Sequence, residues 1–252
     1  MRTFFRRLFL IAIVFLLSAA LAGVAYQVIS VKRERAEYPV PERLVDIGGY
    51  RLHLYCLGHG SPAVILDSGL GDSYYSWRKV QRQMAEFTQV CSYDRAGYGY
   101  SDHSPLPRRS QVFAEELNKL LVNAYIPPPY VLVGHSLGGA NIRLYASSHL
   151  SSVAGMVLVD SVHPDQWNRL PPAIWKIQQE QGREAKKFTW EVLFGIPRLT
   201  KTCGSDPQEI ALNCTFESGR TWAAEIELSG ESVADARSTG PFGGDSADRS
   251  FS

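Results

Sequence analysis

Ser136 is the residue whose surroundings most clearly suggest chemistry. It stands in the sequence Gly-His-Ser-Leu-Gly, with Gly134 two residues before it and Gly138 two residues after it. A sharp turn needs glycine at such positions when the neighbouring backbone leaves no room for a Cβ. A serine raised on this turn presents its hydroxyl beside the positive end of the helix that follows. The pattern therefore indicates a serine nucleophile.

The flanking residues supply the two elements that position this turn. Val131 and Val133 are β-branched and predict a buried parallel strand that ends at the motif. Residues 140–147 are rich in helix formers and predict a helix. This strand-turn-helix arrangement around G-x-S-x-G resembles the nucleophile elbow of the α/β-hydrolase family. The resemblance implies a serine hydrolase that acts on an ester or amide bond through Ser136.

Two further stretches extend the resemblance, which is continuous from Leu44 to Asp160. The loop 68–71 follows the third predicted strand, where the family has its oxyanion loop. The resemblance implies that the backbone N–H groups of Leu70 and Leu137 form the oxyanion hole. The run D-R-x-G-x-G-x-S that begins at Asp94 follows the fourth strand, and we interpret it mainly as a structural loop.

The histidine that should activate the serine is missing from its expected place. The family order is Ser, then Asp or Glu, then His, with the last two after a seventh and an eighth strand. After Ser136 the only histidines are His149 and His163, and residues 241–252 contain neither histidine nor a run of four apolar residues. We therefore expect a truncated sheet without its last two strands. Loss of the base predicts weak turnover or none.

A surrogate acid and base are conceivable near the sixth predicted strand. Asp160 ends that strand and His163 follows it, on the same sheet edge as Ser136. His135 flanks the serine, and we expect it to pack or to line the pocket. The alternative function is a non-catalytic fragment or a ligand-binding module that keeps the hydrolase fold.

Composition narrows the function classes further. The chain has 252 residues, 45% of them hydrophobic, and a net charge of +1, which suits one α/β domain with a small appendage. Without a basic stripe there is no footprint for nucleic acid. The four cysteines lack the spacing of a metal site. We expect no metal and no cofactor, and a small-molecule ester or amide as the partner.

The amino-terminal segment is long and apolar enough to cross a membrane. Leu8 to Ile29 is an uncharged stretch of 22 residues, about 33 Å long as a helix. Arg2, Arg6 and Arg7 precede it and favour an inside amino terminus, although basic residues beyond it weaken the asymmetry. A cleaved signal peptide is the alternative, because Ala20-Leu21-Ala22 fits a cleavage site. The domain would lie outside the cytoplasm, on a single-pass membrane anchor or as a secreted or periplasmic protein.

The predicted fold class is α/β, with a mostly parallel α/β-hydrolase sheet, a helical cap and a transmembrane or signal segment. The predicted regions are an anchor or signal at 1–30, a linker at 31–42, the hydrolase core at 43–163, the cap at 164–240 and an irregular polar tail at 241–252. The resemblance implies that the second and fourth strands are neighbours and that Cys56 bonds to Cys91. It leaves Cys203 and Cys214 to pair within the cap, and four buried free thiols are the alternative.

Overall fold

A six-stranded sheet lies at the centre of the computed structural model, which describes residues 2–239 apart from the side chains of residues 167, 168, 172 and 175. The strands are β1 (Arg43–Asp46), β2 (Arg51–Leu57), β3 (Ala63–Asp67), β4 (Val90–Tyr93), β5 (Tyr130–His135) and β6 (Val153–Val159). Their order across the sheet is β1-β2-β4-β3-β5-β6. The mostly parallel α/β sheet that the sequence predicts is confirmed.

Strand direction and register determine what this sheet can position. β3 to β6 run parallel, whereas β2 is antiparallel to both β1 and β4. In the β3/β5 pair Asp67 lies opposite Gly134. The carboxyl ends of parallel strands meet at one sheet edge. The loop after β3 and the turn after β5 are therefore neighbours.

Helices cover the sheet and build the cap. They are α1 (Arg2–Glu37), α2 (Arg78–Met84), α3 (Ser110–Asn123), α4 (Leu137–Ser148), α5 (Gln166–Arg169), α6 (Pro172–Leu193), α7 (Ile196–Leu199), α8 (Pro207–Asn213), α9 (Phe216–Glu227) and α10 (Ser229–Arg237). A large apolar core lies between the sheet and helices α3 and α4. Ala236 of α10 packs with Phe113 and Leu137, so the end of the predicted cap region rests on the core helices.

Helix α1 is longer than the predicted anchor. Residues 31–37, which we expect in a linker, continue the helix because Lys, Arg and Glu are good helix formers and because their side chains find partners. Arg35 donates to the carbonyl oxygen of Gly99 at 2.7 Å and stacks over the Tyr100 ring. Within the described range, α1 is a candidate membrane span by length and apolar composition.

Two disulfide bonds cross-link the chain, one within the sheet and one within the cap. Cys56 and Cys91 face each other in the β2/β4 register and are bonded, with a Cα–Cα distance of 4.0 Å. Cys203 and Cys214 are bonded in the cap, with a Cα–Cα distance of 5.6 Å. The predicted tail at 241–252 lies outside the described residues.

Strand β6 forms one edge of the sheet as far as residues 2–239 show. Its last three residues, Val157, Leu158 and Val159, are apolar and exposed. The last two strands that we predict to be missing would lie beside this edge, and the edge is apolar at Val157, Leu158 and Val159.

Candidate active site

Ser136 occupies a strained turn between β5 and α4. Its backbone φ of 51° and ψ of −116° lie outside the regions preferred by residues other than glycine. Its amide donates to the carbonyl of Val159 at 3.1 Å, and its own carbonyl accepts from Gly139 and Val162. These hydrogen bonds to the end of β6, to the segment after it and to the first turn of α4 hold the strained conformation in place. The sequence pattern and the backbone agree on a serine raised at a sharp elbow.

The two glycines of the motif are required by close backbone contacts. A Cβ on Gly134 would lie 2.6 Å from the Gly138 carbonyl group. A Cβ on Gly138 would lie 2.4 Å from the carbonyl oxygen of Asp67 and 2.8 Å from that of Ser68. The second contact means that the elbow presses directly on the loop that follows β3.

The predicted nucleophile and both predicted oxyanion residues line one cavity. This cavity has a volume of about 350 Å³, and Leu70, Ser136 and Leu137 form its floor on the sheet side. The other lining residues come from the segment after β6 and from the cap: Val162, Gln166, Ile174, Ile177, Gln178, Gln181, Ile226, Ser229 and Val233. The wall is mainly apolar with a few amide and hydroxyl groups, as is common in small-molecule sites.

A second cavity adjoins the first through Leu70. It has a volume of about 320 Å³ and includes Gly71, Asp72 and the ring of Trp222. Burial raises the pKa of Asp72, while Arg95 and His135 act in the opposite direction. His135 Nδ1 lies 4.0 Å from Asp72 Oδ2, so His135 packs beside the loop after β3.

Arg95 holds the loop that follows β3 through hydrogen bonds to its backbone. Its guanidinium is fully buried and donates to the carbonyl oxygens of Ser68 at 2.6 Å and Gly69 at 2.8 Å. The same group pairs with Asp67 at 3.1 Å and with Glu225 of the cap at 2.9 Å. The D-R-x-G-x-G-x-S run thus acts structurally, and it also links the cap to the loop beside Ser136.

Asp67 is the sheet-side member of this buried ion cluster. Its Oδ2 accepts from the Tyr93 hydroxyl at 2.8 Å and from the Asn141 amide at 3.1 Å. Burial raises the pKa of Asp67, and the Arg95 cation and the two hydrogen bonds oppose this shift. Sequence reasoning missed Glu225, since 130 residues separate it from Arg95.

The surrogate residues proposed from the sequence are not brought into the cavity that Ser136 lines, as far as the described residues show. His163 is exposed, and its Nδ1 accepts from the Asp165 amide at 3.0 Å. Asp160 is exposed and has a φ of 43°. Within residues 2–239, the Ser136 hydroxyl makes no hydrogen bond to a base.

One buried histidine and carboxylate pair lies elsewhere in the fold. His53 Nδ1 is 2.7 Å from Asp94 Oδ2, and its Nε2 is 2.9 Å from the Pro41 carbonyl. Asp94 also accepts from the amides of Tyr74 and Tyr100. Both ring nitrogens are engaged, so this pair anchors loops. The sequence could have indicated this pair, because His53 lies on β2, Asp94 follows β4, and these two strands are neighbours.

Comparison with known proteins gives a family match and several partial relatives. The model of the alpha/beta hydrolase fold family matches residues 62–190. A protein of Hormonema carpetanum named "Probable transporter efuK" is 32% identical over 148 residues, which cover 54% of this chain and 21% of that protein. A Saccharomyces cerevisiae protein described as an uncharacterized vacuolar membrane protein is 30% identical over 134 residues, or 46% of this chain and 21% of that one.

Solved structures give the same answer for the fold. The Cif epoxide hydrolase from Acinetobacter nosocomialis superposes with a TM-score of 0.64 at 13% identity, covering 85% of this chain and 74% of that chain. At this identity the likeness is one of fold alone. The chain spans about a fifth of the length of each of the two sequence relatives.

Proposed function

Because this chain belongs to the alpha/beta hydrolase fold family, we propose that it is a hydrolase that attacks an ester or amide carbonyl with the hydroxyl of Ser136. The observation that carries this proposal is the strained elbow, which presents Ser136 in a cavity shared with Leu70 and Leu137. The structural neighbour is named an epoxide hydrolase, but at 13% identity the likeness is one of fold alone, so the reaction is argued from the residues of this chain.

The proposed reaction has two halves. The Ser136 oxygen forms a bond to the substrate carbonyl carbon, and the carbonyl oxygen gains the negative charge. The amides of Leu70 and Leu137 donate to this oxyanion at the start of α4, where the helix dipole adds to their effect. The bond from the carbonyl carbon to the leaving oxygen or nitrogen then breaks, the proton lost by Ser136 reaches the leaving alcohol or amine through solvent, and an acyl-serine remains. Water hydrolyses this ester, which releases the carboxylic acid and restores the Ser136 hydroxyl.

The weak step in this scheme is removal of the serine proton. A histidine normally takes this proton, and removal of the histidine from a serine protease costs about 10⁶ in kcat. Within the described residues the Ser136 hydroxyl has no histidine partner, so we expect slow acylation wherever no other base reaches the serine. If acylation fails altogether, the same cavity would serve to bind a ligand without turnover.

A fluorophosphonate probe tests the nucleophile, because it reacts with an activated serine and needs no substrate assignment. We expect a single phosphonyl adduct on the peptide that contains Ser136, formed slowly, and none in Ser136→Ala. Ser147→Ala, at the far end of α4, should label like the wild type. Mass spectrometry of the digested protein is the measurement. A folded protein that gains no adduct would favour the ligand-binding alternative.

We also propose that α1 is retained as a single-pass anchor and that the domain lies outside the cytoplasm. The most apolar 18-residue stretch of α1 has no buried residue within the described structure, and the two disulfide bonds suit an oxidising compartment. The yeast relative is named as a vacuolar membrane protein, which adds support for membrane association.

Intact mass and alkaline carbonate extraction test the anchor together. We expect the mature protein to start at or next to Met1 and to remain in the membrane pellet. A soluble mature chain that starts at Gly23, after the Ala20-Leu21-Ala22 site, would show instead that the segment is a signal peptide.

A further inference from the structure

One face of α1 packs against the cap and the rest of the helix does not. Between residues 20 and 34 the less exposed residues recur at helical spacing: Ala20, Gly23, Val24, Gln27, Ser30, Val31 and Glu34. Such spacing places side chains on a single helix face. The contact face therefore begins well inside the apolar stretch that ends at Ile29.

The backbone of the cap approaches α1 closely where α7 begins. A Cβ on Gly23 would lie 2.6 Å from the carbonyl oxygen of Phe194. A Cβ on Gly195 would lie 2.7 Å from the Tyr26 ring, and Gly195 has a φ of 71°. Two glycines thus allow a close fit between α1 and residues 194–199, a segment that we name the cap foot.

In the cap foot the charged side chain is buried and two apolar side chains are exposed. Arg198, its charged residue, has a side chain only 4% exposed and pairs with Glu34. It also donates to Gln27 Oε1 at 2.8 Å and to the Cys214 carbonyl at 2.9 Å. Pro197 is buried, but two other apolar residues of the foot are exposed, Ile196 at 39% and Leu199 at 68%.

The level of the cap foot along α1 indicates what faces those residues. Gly23 lies six residues before Ile29, or about 9 Å along a helix. An anchor that places Leu8 to Ile29 in the hydrocarbon core therefore holds the cap foot below the membrane surface on the domain side. An apolar cavity of about 660 Å³ opens there between α1 and the foot, lined by Ala19, Ala20, Ala22, Gly23, Tyr26, Phe194, Ile196 and Leu199.

We propose that the cap foot inserts into the outer leaflet beside α1 and that lipid acyl chains contact Ile196 and Leu199 and fill the cavity. This inference rests on the proposed anchor. The occupant is bilayer lipid because the foot is continuous with the apolar face of the span. Arg198, the charged residue of the foot, is paired with Glu34 and turned inward.

Site-directed spin labelling tests this contact in the full chain. All four cysteines are in disulfide bonds, so Leu199→Cys supplies the thiol to be labelled. The protein is reconstituted in vesicles of phosphatidylethanolamine and phosphatidylglycerol, and collision with oxygen is compared with collision with a water-soluble nickel chelate. Val122→Cys on α3 is the matched control, since Val122 is 61% exposed and lies on the domain core.

We expect the label at residue 199 to collide several-fold more often with oxygen than with nickel, and the label at residue 122 to show the reverse order. Ile196→Cys provides a second position and should behave like residue 199. Nickel collisions at residues 199 and 196 that match those at residue 122 would overturn the proposal. Dipolar broadening between labels would overturn it in favour of a second copy of the chain on the foot. Release of the protein by carbonate would instead remove the anchor on which the inference rests.

Discussion

Replacement of Arg95 by leucine should lower the free energy of unfolding by about 3–5 kcal/mol, because it leaves two buried carboxylates without their cation. Arg95 is fully buried and pairs with Asp67 and Glu225, both of which are also inaccessible to water. The substitution also removes the donors to the carbonyls of Ser68 and Gly69. We therefore expect slower phosphonylation of Ser136 in the fraction that remains folded.

Denaturant unfolding in detergent micelles, followed by tryptophan fluorescence, measures the loss. Arg183→Leu is the matched control, since its side chain is 74% exposed and its pairing with Glu180 is loose at 3.9 Å. This control should change stability by less than about 0.5 kcal/mol. The triple variant Arg95→Leu with Asp67→Asn and Glu225→Gln should recover part of the loss, because the unpaired charges are gone. A loss from Arg95→Leu no larger than that of the control would refute the role given to this cluster.

Gly138→Ala should slow phosphonylation of Ser136 by about 100-fold, the penalty expected when a reacting group is displaced by about 1 Å. The added methyl would lie 2.4 Å from the Asp67 carbonyl oxygen, which is backbone and cannot rotate away. The elbow and the loop of Leu70 must therefore separate. The overpacking should also lower stability by about 1–3 kcal/mol.

The rate of adduct formation, measured by intact mass over time, tests this expectation. Gly155→Ala on β6 is the control because a Cβ there meets no atom within 4 Å. That variant should label at the wild-type rate. Labelling of Gly138→Ala within a few-fold of the wild type would show that the spacing between elbow and loop is not critical.

The parts of this fold that could be predicted are those specified locally. The elbow follows from a few adjacent residues around Ser136, and the strand that precedes it follows from β-branched side chains. The Cys56–Cys91 bond followed from the strand order implied by the family resemblance. Each of these inferences needed information from one short stretch or one topological rule.

The parts that escaped prediction depend on contacts between distant residues. Glu225 completes the Arg95 cluster from 130 residues away, and Arg198 meets Gln27 across 171 residues. The extension of α1 to Glu37 has the same origin, because Glu34 and Arg35 are held by groups of the cap and the core. Sequence pattern alone indicates a charged linker there.

The Arg95 cluster has a consequence for how a molecule could reach Ser136. Glu225 fastens α9 to the end of β3, and a Cβ on Gly97 would lie 2.0 Å from Thr221 Oγ1 on the same helix. Moving α9 away from the sheet would break the pairing of Glu225 with Arg95. A molecule that entered the Ser136 cavity by displacing α9 would therefore have to break this ion pair, whereas Ile174 and Ile177 line the same cavity from α6.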